Sequence, residues 1–124
     1  MILKGRLYSK ANSRRLVKNR RTGNWMVIKS KEALQTVKDF TVQAKAQWKG
    51  KPLEGPVALK ALIYYPSRRQ DLDPSLLMDI LQGIAYLNDR QIEQMTLQKY
   101  IDRDNPRVEV NVEPSVFIPS WYEF

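Results

Sequence analysis

"PVALKALIYYPSRRQDLDPSLLMDILQGIAYLNDRQI", residues 56–92, contains the strand, helix and return on which the fold turns. Val57, Leu59, Ala61, Ile63 and Tyr65 alternate onto one face of an extended segment. Ala58, Leu62 and Tyr64 keep the other face apolar too, which places this strand centrally in a sheet. A helix follows over 74–83, with Leu76, Leu77, Ile80, Leu81 and Ile84 as its buried stripe. It is about 15 Å long, and residues 84–88 can span up to about 17 Å when extended. The chain can therefore run out along the helix and return. On that path the strand ending near Tyr65 and the one beginning near Ile92 are expected to run antiparallel, with Asp89 back beside Asp71 and Asp73.

Working outward, "MILKGRLY" alternates as a first strand. "NRRTGNW" sets a glycine turn between apolar pieces around Leu16–Val17 and Trp25–Ile28, a hairpin or an irregular basic loop. Residues 31–49 read as a helix with Ser30 as N-cap, a stripe of Leu34, Val37, Phe40, Thr41, Ala44 and Trp48, and a stop at Gly50 and Pro52. "IEQMTLQKYI" and "RVEVNV" are two further strands joined by the turn "DRDNP", with Val108, Val110 and Val112 on one face of the second. The expectation is an α+β fold: a mixed, largely antiparallel sheet with two main helices packed on it, residues 1–124 forming one domain. Phe117, Trp121, Tyr122 and Phe124 in the tail are expected to pack on this core, ahead of a dimer seam or base stacking.

Composition narrows the chemistry. The 124 residues contain no cysteine and no histidine, which removes disulfides, thiolate nucleophiles, His-based triads and His-ligated zinc. "MILKGRLYSK" has no signal-peptide core and no apolar run reaches membrane-spanning length, so a cytoplasmic protein without a membrane partner is expected. Net charge is +8 and unevenly placed: through Arg69 there are 17 Lys/Arg against 3 Asp/Glu, and after it 4 against 10. A basic half points to a polyanionic partner, most often nucleic acid, with a solvated basic surface as the plain alternative. Lys10, Asn12, Arg14, Arg15, Lys18, Arg20, Arg21, Arg68 and Arg69 are the candidate phosphate contacts.

The acids behind Arg68 and Arg69 need a separate account. In extended chain Asp71 and Asp73 point the same way. Paired oxygens suit a hard cation such as Mg²⁺, which binds through one or two carboxylates plus waters and phosphate oxygens. Asp73, preceding Pro74, is equally a helix N-cap. Asp71 can simply pair with Arg68 or Arg69, and Asp89 is also a common turn former in "LND". Asp79 lies at the border of the helix stripe, suited to bonding a basic neighbour. DNA phosphates repel carboxylates, so an acidic cluster in a DNA-binding protein calls for a cation between the two.

This window resembles the RusA-type Holliday junction resolvases, small endodeoxyribonucleases of prophages and bacteriophages. The likeness rests on "RRQDLD" as lead-in and first acidic pair, and on "MDILQGIAYLNDRQI" through Asp79, Gly83, Ile84, Asp89, Gln91 and Ile92. "SKANSRR" is similar to that family's Asn-containing basic loop. The resemblance implies that Asp71, Asp73 and Asp89 are catalytic, metal-binding carboxylates using Mg²⁺, with Mn²⁺ able to substitute. It also implies a homodimer nicking two opposing strands of a four-way DNA junction, in recombination and repair. Pro74 stands where the family has asparagine, Asn88 replaces the first of its paired aspartates, and Leu76 and Leu77 occupy the region of its lysine. Arg68, Arg69 or Lys60 are the candidates to replace that lysine's charge. The rival readings are a branched-DNA-binding protein without catalysis and, more remotely, a basic RNA-binding protein.

Overall fold

The structure, a computed structural model, describes residues 1–9, 14–18 and 21–116, without the side chains of 14–18 and 25–29. Strands β1 (Ile2–Lys4), β2 (Arg14–Lys18) and β3 (Trp25–Lys29) come first, then helix α1 (Lys31–Gln47) and strand β4 (Val57–Tyr65). Helix α2 (Ser75–Leu81), a single 3-10 turn at Asp89–Gln91, and strands β5 (Ile92–Ile101) and β6 (Arg107–Pro114) complete the order. A four-stranded sheet runs β1-β6-β4-β5, while β2 and β3 pair separately as an antiparallel hairpin. The two-helix, mixed-sheet α+β expectation holds.

β4 is central, as its two apolar faces required. It pairs antiparallel with β6, Ala61 opposite Val110, and parallel with β5, Val57 opposite Ile92 and Tyr65 opposite Ile101. The antiparallel β4–β5 expectation is therefore wrong. The 26 residues between these strands, Pro66 to Gln91, form a helical crossover, and such a crossover is the usual way to join parallel neighbours. The reach of the chain allowed a return to Tyr65, but α2 and its exit carry the chain back to the level of Val57.

The core lies between the helices and one face of the sheet. Leu59, Ala61, Ile63 and Tyr65 of β4, Val108, Val110 and Val112 of β6, Leu3 of β1, and Phe40 and Ala44 of α1 all belong to it. The expected stripe of α2 is buried throughout. In α1 the stripe is rotated: Ala33 is fully buried and Leu34 is 46 % exposed. Ser30 does cap α1, its hydroxyl accepting from the Ala33 N–H at 3.2 Å. Gly5, just after β1, has φ +132, and a Cβ there would lie 3.0 Å from the Phe40 ring. Only glycine lets that backbone pass so close to the core.

The two edges of the sheet differ. On β1, Gln47 accepts from Ile2 N–H at 2.7 Å and donates to Ile2 C=O at 2.8 Å. Gln43 does the same for Lys4, at 2.7 and 2.9 Å. Four residues of helix rise about 6 Å and two of strand about 6.7 Å, so glutamines one turn apart meet alternate strand residues. β1 thus has its outward peptide groups satisfied by side chains. β5 is the edge on the other side, with Met95, Tyr100 and Ile101 exposed.

Candidate active site: two carboxylate pairs and a cationic groove

The end of β4 gathers Asp71 and Asp73. The sequence sends Tyr65 inward as the last core residue of the strand, and its ring is fully buried while its hydroxyl reaches the segment beyond. That hydroxyl donates to the Asp71 carbonyl at 3.0 Å and accepts from the Asp73 N–H at 3.4 Å. Burial pushes the Tyr65 hydroxyl above its ordinary pKa, and the Asp73 and Asp71 charges push the same way against a lowering bond from the Asp73 backbone. Asp73 also serves α2: its Oδ1 accepts from Ser75 N–H at 2.9 Å, so the capping role read from the sequence is real. The Asp71 carboxylate is exposed and makes no hydrogen bond or ion pair with the described residues.

Asp89 stands elsewhere. It opens the 3-10 turn that leads into β5, and its N–H donates to Gln82 at 3.0 Å. Asn88 caps this turn, accepting from Arg90 N–H at 2.9 Å, and Gln91 reaches back to Asn88 N–H at 2.8 Å. The Gln91 amide then donates to the carbonyls of Leu53 and Gly55, both at 2.9 Å. This reciprocal cap fixes Asp89 at the start of β5. Nearby, Tyr86 is fully buried and donates to the Met78 carbonyl at 2.6 Å. Its pKa is pushed far up by burial, then by the charges of Asp89 and Asp79.

The acids therefore form two pairs, Asp71 with Asp73 around Tyr65 and Asp79 with Asp89 around Tyr86. The parallel register puts Asp71 and Asp73, beyond Tyr65, and Asp89, just before the Ile92 that pairs with Val57, at opposite ends of β4, a strand about 26 Å long by strand rise. Among the described residues, no group of three or more His, Cys, Asp or Glu is placed to hold a metal ion. What one chain offers is the Asp71–Asp73 pair. Asp71 is exposed and Asp73 half-buried, and paired carboxylates are a donor set that suits Mg²⁺, whose remaining positions go to water and phosphate.

Beside that pair lies a groove of about 530 Å³ lined by Arg68, Lys99, Tyr100 and Ile101. Lys99 escaped the sequence reading. It lies on the core-facing side of an edge strand, opposite Ile63, where the alternation gave no reason to single it out. Its Nζ donates to the Arg68 carbonyl at 3.2 Å and to the Gln70 carbonyl, and sits 5.8 Å from the centre of the Tyr65 ring. Lys60, one of the three candidates for the replacement charge, points to the opposite face of the sheet, level with Thr96 and Asn111. Arg68 and Arg69 are exposed on the 66–73 segment, and Arg21 is exposed at the hairpin turn. Arg14, Arg15 and Lys18 lie on β2, so the hairpin carries them in its first strand. Lys10, Asn12 and Arg20, and the tail aromatics Phe117, Trp121, Tyr122 and Phe124, lie outside the described residues.

A paired-carboxylate site next to a cationic groove, on a basic α+β domain, is the arrangement of a protein that acts on a polyanion. Residues 8–113 match the family described as Endodeoxyribonuclease RusA. That is most of the chain, and this protein belongs to the RusA endodeoxyribonuclease family, a family of DNA-cutting nucleases. No curated protein matches the chain significantly. No helix among the described residues is long and apolar enough to cross a membrane.

Proposed function

We propose that this chain is a Mg²⁺-dependent, structure-selective endodeoxyribonuclease that resolves four-way DNA junctions by paired nicking as a homodimer. The observation that carries the reading is the Asp71–Asp73 pair held at the end of β4 beside the groove of Arg68 and Lys99. Asp71, Asp73 and Asp89 are the assigned carboxylates, and Mn²⁺ is expected to substitute. When bound, the ion supplies Lewis acidity at the phosphate and a more acidic water. The residues of the chain do the rest. Asp71 and Asp73 supply carboxylate oxygens, and Tyr65 fixes the backbone that carries both. Arg68 and Arg69, with the hairpin cations Arg14, Arg15, Lys18 and Arg21, bind the phosphate backbone.

The separation of Asp89 from the pair bears directly on the dimer. A partner related by a two-fold axis can bring its own Asp89 to the Asp71 end, and β5 is the edge left open for it among the described residues. Antiparallel pairing of β5 with its copy about Thr96 sets Glu93 opposite the partner's Lys99 and Met95 opposite the partner's Leu97. In the same register Asp89 comes level with the partner's Arg103, at the end of the sheet that bears the partner's Asp71. Two such sites related by two-fold symmetry suit a junction with two-fold symmetry.

Subunit mixing tests this. Asp71→Asn and Asp89→Asn dimers are each expected to bind junctions and lose cutting by at least about 100-fold. A mixed dimer of the two variants has one intact site if Asp89 acts across the seam, and none if it acts within its own chain. Recovered nicking of one strand is the expected result. The second reading, a branched-DNA-binding protein without catalysis, is favoured by the separation of Asp89 from Asp71 and Asp73 in one chain. Junction binding with no cutting in Mg²⁺ or Mn²⁺ by the parent protein would establish it.

A further inference from the structure

The segment 66–73 carries Arg68, Arg69, Asp71 and Asp73, and three side chains from the sheet side hold it. Tyr65 bonds its far end, at the Asp71 carbonyl and Asp73 N–H. Gln70, donating to Ser67, accepts from Arg6 at 3.0 Å. Lys99 comes from β5 and meets the carbonyls of Arg68 and Gln70. The Tyr65 and Lys99 bonds go to main-chain atoms and the Arg6 bond goes to the Gln70 side chain, rather than to the carboxylates. A cation that bonded Asp71 directly would compete with a metal for its oxygens. A cation that holds the backbone leaves those oxygens free. An ammonium has three donors, and two of them are used here.

We propose that Lys99 is a positioning residue: it fixes the carboxylate-bearing segment 68–73 by clamping the Arg68 and Gln70 carbonyls, and so presets Asp71 for a divalent cation. This rests on the metal-dependent reading above. The geometry and a simple charge effect predict opposite signs. Removing a positive charge near Asp71 relieves repulsion and should tighten cation binding. Removing a clamp should weaken it, by the tenfold or more that is about usual when a residue supporting a metal ligand is lost.

The experiment compares Lys99→Met, Lys99→Arg and Lys60→Met. Lys60→Met removes one charge from the opposite face of the sheet. Amide exchange of residues 68–73 and tryptic cleavage after Arg68 and Arg69 report on the segment with no metal present. Free Mn²⁺ measured by paramagnetic resonance reports on cation binding without activity, and thermal unfolding monitors the fold. Lys99→Met is expected to accelerate exchange and cleavage several-fold and weaken Mn²⁺ binding about tenfold. Lys99→Arg should restore both, and Lys60→Met should change neither. Unchanged exchange and cleavage in Lys99→Met would overturn the clamp. Faster exchange with unchanged or tighter Mn²⁺ binding would overturn the positioning role. If Asp71→Asn binds Mn²⁺ as well as the parent does, the metal reading fails, while the exchange result still decides the clamp.

Discussion

Tyr65 and Tyr86 are the residues around which the acids are arranged, and both have ionisation pushed upward from 10.0. For Tyr86 the causes are burial, then Asp89, then Asp79. A raised pKa means that the folded protein holds the phenolic proton more tightly than the unfolded chain does. The associated stability is complete below pH 10 and is lost as pH rises beyond it. Urea midpoints are therefore expected to fall steeply above pH 10, and Tyr86→Phe should flatten that fall. Tyr86→Phe also loses the bond to Met78, at a cost of about 1 kcal/mol at neutral pH. An equal alkaline slope in parent and variant would show that Tyr86 does not control it. Neither tyrosine was legible as a site residue. Alternation gives only that Tyr65 faces inward, and what its hydroxyl reaches depends on where the chain goes after Pro66.

At the scale of elements, most boundaries were readable because each has a local cause. Ser30 starts α1, the apolar stripe of α2 is buried, and "DRDNP" separates β5 from β6. The direction of β5 was the failure. Alternating side chains specify faces and carry no information about whether a neighbour runs up or down. The available signal was the long helical connection, which favours a parallel neighbour. That one error placed Asp89 with Asp71 and Asp73 in a single chain, whereas the caps at Asn88 and Gln91 hold it at the other end of β4. A further element-level feature, the Gln43 and Gln47 clamp on β1, was invisible because glutamine on a helix surface has no patterned meaning. Its removal is testable. Gln43→Ala with Gln47→Ala is expected to destabilise the fold by about 2 kcal/mol, with faster amide exchange confined first to Ile2 and Lys4. Protection unchanged at those two amides would mean that solvent serves β1 equally well.

Across the whole molecule, the sheet has one edge satisfied by its own helix and one edge that, among the described residues, has no such cover. An uncovered edge strand is a pairing surface, and natural proteins usually blunt it. In the dimer proposed above, Thr96 faces its own copy. Thr96→Lys sets two lysines opposite each other and is expected to give a monomer by light scattering, with an unchanged circular dichroism spectrum and no cutting. A persistent dimer would place the seam elsewhere. The opposite face of the sheet carries Lys60 and Arg107. Arg107 is spent there on Asp102 and Glu109 at 2.9 and 2.8 Å, and lies over Tyr64, which stacks on Tyr100.

The way Tyr65 and Lys99 grip the peptide groups of the 66–73 segment has an evolutionary corollary. Shape and chemistry are separable here, since the scaffold draws little of its rigidity from the Asp71 side chain. A descendant could exchange that acid for a neutral residue and keep its architecture. With Asp71 in the role proposed above, lineages of this design can drift from cutters to silent binders in a single substitution, with no folding defect for selection to remove.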